Sequence, residues 1–298
     1  MTEPHLGGTY DQQLAFARWA EAEGLASFAR CDHYLSGGDP APEATDAFAV
    51  LAGLARDTET VRLCVLVSPI TFRHPAVIAK NAATIDQMSE GRLDLGVGTG
   101  WMELEHDKLG IPFPDSRERW ERFEEALDYL DAAFSPGHGR YQGRYYSLDA
   151  DVRPKPTGLR LVIGGSGLKR TPRLAGTRAD EYNMFVCQPD VAKAKIGVMR
   201  EAAGDREVEA TVMGPALVGR DEASYQQRLA KAAARRDMEP GALEARYREL
   251  GIPVGTPSQA AETIAALEEA GVERYYVQWL DLADFEGMTE TVDVLRGS

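Results

Sequence analysis

Gly91-Arg92-Leu93-Asp94-Leu95-Gly96-Val97-Gly98-Thr99-Gly100-Trp101 is the stretch that decides the fold of this chain. Its apolar residues predict a short buried strand, and this strand leads directly into a glycine-rich turn. Because Gly96, Gly98 and Gly100 lack side chains, a ligand could lie against the backbone at these positions. A strand that ends in this way indicates a cofactor site, but it leaves the identity of the cofactor open.

Strands and helices alternate on both sides of this stretch. Thr9 and Gln12 have the spacing of a capping box at the start of one helix, and Pro75 is well placed in the first turn of another. Residues 116–134 repeat apolar side chains at three- and four-residue spacing, which predicts a long amphipathic helix. Further helices are predicted over residues 44–56, 256–271 and 288–295, and further strands over residues 25–29, 62–67, 159–163, 182–186, 211–218 and 274–279.

This alternation of short apolar strands with helices predicts an α/β fold whose parallel strands are buried on both faces. A parallel barrel and an open doubly wound sheet both satisfy the pattern. The length of 298 residues favours a (β/α)8 TIM-type barrel with insertions, as a single domain over residues 1–298. Few residues precede the first helix, so we expect the first strand to be short or truncated. Residues 135–156 are rich in Gly, Pro and Tyr, and we expect an excursion with a hairpin there.

The composition indicates an enzyme of a reducing compartment. The net charge of −14 argues against a general nucleic-acid binder and against a protein that docks on an anionic membrane. The three cysteines, Cys31, Cys64 and Cys187, are widely spaced and form no CxxC pair, so we expect neither a disulfide framework nor a metal site. The sequence shows no apolar run long enough to span a membrane and no signal-peptide pattern at its start. We therefore expect a cytoplasmic protein.

Asp32 and His33 follow a predicted strand, at the end where barrel enzymes place their catalytic residues. A histidine in this position can exchange protons near neutral pH, and a neighbouring carboxylate can orient it or bind a ligand. The alternative is that Asp32 caps a turn and that His33 is a structural histidine. Ser68 and Thr71 likewise follow an apolar strand, and they are explained equally well as ordinary loop residues.

Residues 164–173, Gly-Gly-Ser-Gly-Leu-Lys-Arg-Thr-Pro-Arg, indicate a phosphate site. They combine the backbone amides of a glycine turn, the start of a helix and three basic side chains in an otherwise acidic chain. The segment is not a P-loop, because the GxxxxGK[ST] spacing is absent. An ordinary strand-to-helix turn is the alternative.

Residues 93–100 also resemble the first motif of methyltransferases that use S-adenosylmethionine. In that fold a second strand follows the glycine turn and ends in an acidic residue that binds the ribose hydroxyls. No apolar strand with a terminal acid follows here, and three strand–helix units precede the motif. The methyltransferase interpretation is therefore disfavoured.

Nearly the whole chain resembles the bacterial luciferase-like superfamily of flavin and deazaflavin oxidoreductases, and above all its members that use coenzyme F420. The resemblance rests on the order of several segments, which are Ala20-Glu21-x-x-Gly24, Cys31-Asp32-His33-Tyr34, Ser68-Pro69-x-Thr71-x-Arg73-His74-Pro75, Ser89-Glu90-Gly91-Arg92-Leu93 leading into Gly96-Val97-Gly98-Thr99-Gly100-Trp101, Leu109-Gly110-Ile111-Pro112-Phe113 and Gly164-Gly165-Ser166-Gly167. It implies a (β/α)8 barrel with the deazaflavin across the carboxyl ends of the strands.

The resemblance also implies roles for individual residues. Asp32 would contact the deazaflavin ring, and His33 would act as an acid/base or stabilise charge beside the carbon that carries the hydride. A bulge with a cis peptide, at about Val65-Leu66, would support one face of the ring. The other implied cofactor-binding residues are Ser68, Thr99, Gly100 and Trp101 near the ring, and Gly165, Ser166, Gly167 and Leu168 at the phosphate.

Two positions depart from the family pattern. The first strand is nearly missing, and Glu3 at its end is the residue that we expect to reach the substrate pocket as a second catalytic group. Trp101 stands where sugar-phosphate-oxidising relatives carry a glutamate, which argues against a sugar-phosphate substrate.

The resemblance thus implies an oxidoreductase that transfers a hydride between F420 and a small organic substrate. One alternative is a monooxygenase that uses reduced FMN supplied by a separate reductase, and another is a barrel that binds the deazaflavin without catalysis. By analogy with relatives we expect a homodimer, with neither nucleic acid nor a membrane as a partner.

Overall fold

The computed structural model describes residues 1–36 and 42–297. These residues divide into two compact units. Thr2–Gly164 and Arg178–Asp180 form the amino-terminal unit, whereas Met1, Gly165–Thr177 and the residues from Glu181 onward form the carboxy-terminal unit. The single domain expected from the sequence stays a prediction. Within the described ranges, no helix combines the length and the apolar character that crossing a membrane requires.

The predicted helices and strands occur in their predicted order, together with further helices that the sequence analysis did not name. The α-helices are α1 (Tyr10–Ala22), α2 (Ala47–Asp57), α3 (Pro75–Met88), α4 (Glu103–Leu109), α5 (Ser116–Phe134), α6 (Arg170–Arg178), α7 (Pro189–Ala203), α8 (Glu222–Ala234), α9 (Pro240–Glu249), α10 (Pro257–Glu269) and α11 (Phe285–Arg296). The strands are β1 (Ser27–Arg30), β2 (Arg62–Pro69), β3 (Leu93–Gly98), β4 (Gly139–Gln142), β5 (Ser147–Ala150), β6 (Arg160–Gly164), β7 (Glu181–Phe185), β8 (Glu209–Gly214), β9 (Leu217–Val218), β10 (Val254–Gly255) and β11 (Arg274–Val277).

Four parallel strands form the main sheet of the amino-terminal unit, in the order β1-β2-β3-β6. Ser27 lies opposite Arg62, and Leu63 lies opposite Leu93. Every residue of β3 is buried, as expected for a parallel strand that is covered on both faces. The glycine-rich stretch is therefore the buried strand that the sequence predicted.

The first strand of this unit is reduced to a single bridge. The Thr2 amide donates to the Ala29 carbonyl at 2.8 Å, and the Cys31 amide donates to the Thr2 carbonyl at 3.2 Å, so Thr2 pairs in parallel with Arg30. Pro4 then begins a 3-10 helix of three residues, which ends the extended backbone. The prediction of a short first strand is confirmed.

The helix starts and the excursion are formed as the local sequence predicted. Thr9 and Gln12 form the capping box of α1, and Pro75 lies in the first turn of α3. Helix α5 covers the predicted residues 116–134. The expected hairpin within residues 135–156 is the antiparallel pair of β4 and β5.

The carboxy-terminal unit contains three parallel strands in the order β7-β8-β11. The amino group of Met1 donates to the Val277 carbonyl at 2.8 Å, at the end of β11. The predicted strand over residues 211–218 was wrong in one respect, because it divides into β8 and β9, and β9 pairs with β10. Pro215 lies between the two strands and has no amide hydrogen to donate to a continuous ladder.

Strand β2 carries the bulge that the family resemblance implied, but one peptide later than expected. The register of β2 against β3 shifts between Val65 and Ser68. The cis peptide joins Leu66 to Val67, and not Val65 to Leu66. Val67 lies inside the bulge, between Val65 and Ser68.

Three glycines make room for this bulge. A Cβ on Gly96 would lie 2.1 Å from the Val65 carbonyl oxygen and 2.9 Å from one methyl group of Val67. A Cβ on Gly98 would lie 3.0 Å from the other methyl group, and a Cβ on Gly164 would lie 2.7 Å from the first. Gly96 and Gly98, which we expected to admit a ligand, are thus needed first for packing between strands.

Replacing Gly96 with alanine is expected to destabilise the protein, because the added methyl group would collide with the backbone of β2. We expect Gly96→Ala to lower the free energy of unfolding by about 3 kcal/mol or more, as severe overpacking does. The matched control is Gly197→Ala in α7, where nothing lies within 4 Å of the added Cβ. This control should raise the free energy of unfolding by about 0.5–1 kcal/mol. Urea unfolding measures both values, and wild-type stability of Gly96→Ala would contradict the packing role.

Candidate active site

Asp32 is held by a buried ion pair. Both oxygens of its carboxylate accept hydrogen bonds from the guanidinium of Arg73, and Oδ2 also accepts from the Ser68 hydroxyl at 2.7 Å. The side chains of Asp32 and Ser68 are fully buried. Because a buried carboxylate without such partners is strongly unfavourable, these hydrogen bonds offset the cost of burying the Asp32 side chain. The pair joins the end of β1 to the loop that follows β2.

Arg73 is the centre of this buried cluster. Its guanidinium also donates to the Tyr34 hydroxyl and to the Asp46 carboxylate, each at 2.5 Å, and it lies 4.7 Å from the centre of the Phe48 ring. Burial lowers the pKa of Arg73, but the hydrogen bonds and negative charges of Asp32 and Asp46 outweigh burial and raise it. Arg73 therefore remains a cation and fixes the position of Asp32. The sequence indicated Arg73 only as part of the family pattern.

His33 is hydrogen-bonded to a carboxylate that the sequence analysis missed. Nδ1 of His33 lies 2.8 Å from Oε1 of Glu105, and Oε2 of Glu105 accepts a hydrogen bond from the Tyr34 amide at 3.0 Å. Glu105 is buried on α4, whereas 17% of the His33 side chain is exposed. The two residues are 72 positions apart, so no local spacing connects them. The acidic character of α4, directly after the glycine turn, was the available signal.

The electrostatics of this pair decide where the proton of His33 resides. Burial raises the pKa of Glu105, but its hydrogen bonds with His33 and with backbone amides outweigh burial, so this pKa lies below its ordinary value of 4.5. Burial lowers the pKa of His33, but the hydrogen bond and the charges of Glu105, Glu3 and Asp32 raise it above its ordinary value of 6.5. Since a charged Glu105 can only accept, Nδ1 of His33 carries the shared proton. Nε2 is then the atom through which His33 can exchange a proton.

Glu3 lies beside this pair in a second buried cluster. Oε2 of Glu3 is 3.3 Å from Nδ1 of His5, and the same nitrogen is 3.2 Å from Sγ of Cys31. The centres of the His5 and His33 rings are 4.9 Å apart. The buried side chain of Glu3 thus belongs to a cluster with His5 and Cys31 that borders His33, and its catalytic role stays a prediction. The sequence analysis did not identify His5.

Trp101 presents an exposed aromatic surface next to His33. The residue is 71% exposed, and its ring meets the His33 ring edge-on, with the ring centres 5.6 Å apart. Thr99 and Gly100 form the loop from β3 to Trp101, and Gly100 has a φ of +77°, which favours glycine.

The predicted site residues that the structure brings together through contacts are Asp32 with Ser68 and His33 with Trp101. The other predicted residues of this unit, Val65 and Leu66, are buried in β2.

His106 holds α4, and with it Glu105, in place. Nε2 of His106 lies 2.7 Å from the Thr71 hydroxyl oxygen, and Nδ1 lies 2.7 Å from the Met102 carbonyl oxygen. The side chain is fully buried, and its ring lies 4.6 Å from the centre of the Phe113 ring. Thr71, which the sequence could explain as an ordinary loop residue, is therefore an anchor for the helix that carries Glu105.

The predicted phosphate site, the glycine turn after β6, lies in the carboxy-terminal unit. Gly165 and Gly167 pack against Thr171 of α6, where an added Cβ would lie 3.1 Å and 3.0 Å from its side chain. Ser166 is exposed, and 63% of Leu168 is exposed. The backbone of the turn is thus accessible at the start of α6, whose first residues include basic side chains. Backbone and positive charge at the start of a helix are suited to binding a phosphate group.

Replacing Glu105 with glutamine is expected to lower the pKa of His33 and to reduce stability in a pH-dependent way. Protonated His33 stabilises the fold below pH 6.5, and this contribution is lost as the pH rises through its raised native pKa. Glu105 contributes above pH 4.5 and loses this contribution as the pH falls through its lowered native pKa. Glu105→Gln should therefore cost more free energy of unfolding at about pH 5.5 than at about pH 8.5.

NMR titration of the histidine rings measures the change in pKa directly. His74, which caps α3 and whose pKa is lowered by burial, is the internal control and should titrate alike in both proteins. An unchanged titration of His33 in Glu105→Gln would contradict the hydrogen-bonded pair.

Solved structures share the fold of this chain. An F420-dependent secondary alcohol dehydrogenase in complex with an F420-acetone adduct is 20% identical, with a TM-score of 0.78 and 99% of each chain covered. The oxygenating constituent of 3,6-diketocamphane monooxygenase from Pseudomonas putida, in complex with FMN, is 19% identical, with a TM-score of 0.75 over 98% of this chain and 94% of that chain. The likeness shows the fold, and the predicted TIM-type barrel class is confirmed.

Sequence comparison gives the family. The F420-dependent glucose-6-phosphate dehydrogenase of Microbacterium testaceum (strain StLB037) is 36% identical over 175 residues, which are 58% of this chain and 52% of that protein. The chain spans about half the length of the curated relatives that it matches. The family model described as luciferase-like monooxygenase matches residues 1–274. The chain therefore belongs to the luciferase-like monooxygenase family, as the resemblance of its motifs implied.

Proposed function

We propose that the chain is an F420-dependent oxidoreductase that transfers a hydride between the deazaflavin and a small organic substrate. The observation that carries the proposal is the hydrogen-bonded pair of His33 and Glu105 beside the exposed ring of Trp101. The names of two similar proteins, the F420-dependent glucose-6-phosphate dehydrogenase and the F420-dependent secondary alcohol dehydrogenase, support the same cofactor.

The residues that are present fit this cofactor. A deazaflavin has a flat aromatic ring system and a phosphate in its tail, and Trp101 offers an exposed aromatic face for the ring. The open backbone of the glycine turn and the basic residues after it suit the phosphate. Bound F420 would supply or accept the hydride. In this proposal the ring is held by Asp32, Val65, Leu66, Ser68, Thr99, Gly100 and Trp101, and the phosphate by Gly165, Ser166, Gly167 and Leu168.

His33 exchanges the proton that accompanies the hydride. With Nδ1 donating to Glu105, Nε2 accepts the hydroxyl proton of an alcohol that is being oxidised, or donates a proton to a carbonyl oxygen that is being reduced. The charges of Glu105 and Glu3 favour the protonated ring that forms during alcohol oxidation. Arg73 fixes the position of Asp32 at the end of β1. The next residue, His33, is thereby held in the position that proton transfer requires.

A small substrate without a phosphate group fits this site best. Trp101 supplies an apolar surface next to His33. The neighbouring helix α4 begins with acidic residues, Glu103 and Glu105, whose charge disfavours an anionic substrate. These features favour an uncharged alcohol or carbonyl compound.

A monooxygenase that uses reduced FMN from a separate reductase is the second candidate. It is favoured by the likeness in fold to the FMN-bound constituent of 3,6-diketocamphane monooxygenase. A monooxygenase requires O2, whereas hydride transfer does not. Turnover under anaerobic conditions therefore separates the two candidates.

Replacing His33 with alanine is expected to lower turnover with F420 by roughly 100-fold or more, because the proton transfer loses its acid/base. Cofactor affinity should stay nearly unchanged. The measurement is the anaerobic oxidation of reduced F420 by a panel of small ketones and aldehydes, followed by deazaflavin absorbance. His74→Ala is the control, since His74 caps α3 and packs against Tyr129 and Tyr146, and this variant should keep wild-type turnover. Full turnover in His33→Ala would show that His33 has only a structural role.

Replacing Ser166 with aspartate is expected to weaken F420 binding by roughly 10-fold or more, because the new carboxylate would repel the phosphate. Ser147→Asp, on the exposed strand β5, introduces the same charge away from the glycine turn and should leave the dissociation constant unchanged. Fluorescence titration measures both variants. Equal affinity of Ser166→Asp and wild type would show that the phosphate binds to another part of the chain.

A further inference from the structure

Three side chains with metal-binding chemistry converge at the start of the chain and the end of β1. Glu3, His5 and Cys31 each offer one ligand atom, and these atoms all lie within 4.8 Å of one another. The three residues are 8%, 7% and 3% exposed. No sequence pattern indicated this cluster, because its spacing matches no metal motif and Cys31 lies 26 positions from His5.

Two distances within the cluster are close to those expected between the ligands of a tetrahedral metal ion. With metal–nitrogen and metal–oxygen distances of about 2.0–2.1 Å and a metal–sulfur distance of about 2.3 Å, neighbouring ligand atoms lie roughly 3.3–3.6 Å apart. Nδ1 of His5 is 3.3 Å from Oε2 of Glu3 and 3.2 Å from Sγ of Cys31. His5 is therefore spaced from Glu3 and from Cys31 much as the ligands of one cation would be, and all three ligand atoms lie within 4.8 Å of one another.

A catalytic thiol of the cysteine–histidine–carboxylate kind does not explain this geometry. In such a triad the two ring nitrogens contact different partners, so that the histidine can pass a proton between them. Here Cys31 and Glu3 approach the same atom, Nδ1 of His5.

We propose that Glu3, His5 and Cys31 form a binding site for one divalent transition-metal ion, with Zn²⁺ as the best-suited cation. Sulfur, nitrogen and carboxylate oxygen are the ligands that Zn²⁺ takes in proteins. Three protein ligands leave a fourth position for water or another small ligand, as in catalytic zinc sites. Binding converts the Cys31 thiol to a thiolate and releases its proton to the buffer.

Titration of the full chain with Co²⁺, after removal of bound metal with EDTA, tests this site. Co²⁺ replaces Zn²⁺ in tetrahedral sites and gives a thiolate-to-cobalt charge-transfer band in the near ultraviolet when cysteine is a ligand. We expect one Co²⁺ per chain, displacement of the band by one equivalent of Zn²⁺, and release of a proton on binding. The readout needs neither F420 nor turnover, so it is independent of the proposed function.

Cys31→Ser should abolish the charge-transfer band, and Cys187→Ser, which changes a half-buried cysteine of the carboxy-terminal unit, should keep it. Loss of a residue that only orients a metal ligand weakens metal binding roughly 10- to 100-fold. His5→Gln removes a ligand itself, so it should weaken Co²⁺ binding by more than this. Circular dichroism checks that each variant is folded, and His5→Gln provides the test if Cys31→Ser does not fold. Absence of a stoichiometric band, persistence of the band in Cys31→Ser, or wild-type affinity in His5→Gln would overturn the proposal.

Discussion

The side chain of Val67 fills the space left by three missing side chains, those of Gly96, Gly98 and Gly164, and the rest of the amino-terminal unit depends on this fit. Any side chain at Gly96 would meet the backbone of β2 at 2.1 Å, so the bulge and the glycine-rich strand can exist only together. A glycine-rich strand end is usually explained by a ligand that approaches the backbone. Here packing between neighbouring strands explains two of the three glycines of the motif.

The consequences of the bulge reach the candidate active site through a short series of contacts. The bulge ends at Ser68, whose hydroxyl donates to the buried carboxylate of Asp32. Asp32 is clamped by Arg73 and precedes His33, so the ion pair fixes the backbone from which the imidazole projects. On the other side, Glu105 holds the ring through Nδ1. The site therefore combines a rigid frame with one nitrogen, Nε2, that remains for proton exchange.

Local sequence signals predicted the parts of the fold that local chemistry decides. The capping box of Thr9 and Gln12 and the first-turn proline Pro75 act within a few residues, and both helices begin where these residues placed them. The residues that hold the site residues in place were not predicted, because they come from distant parts of the chain. Glu105 reaches His33 across 72 positions, and no pattern of spacing records which acidic residue of α4 turns inward.

The central claim is that the site serves a deazaflavin. A side-by-side fluorescence titration of the purified protein with F420 and with FMN tests this claim most directly. Binding of F420 with a dissociation constant at least roughly 10-fold below that of FMN, a preference of about 1.4 kcal/mol, is the result that we expect. Tighter binding of FMN than of F420, or binding of neither, would contradict it.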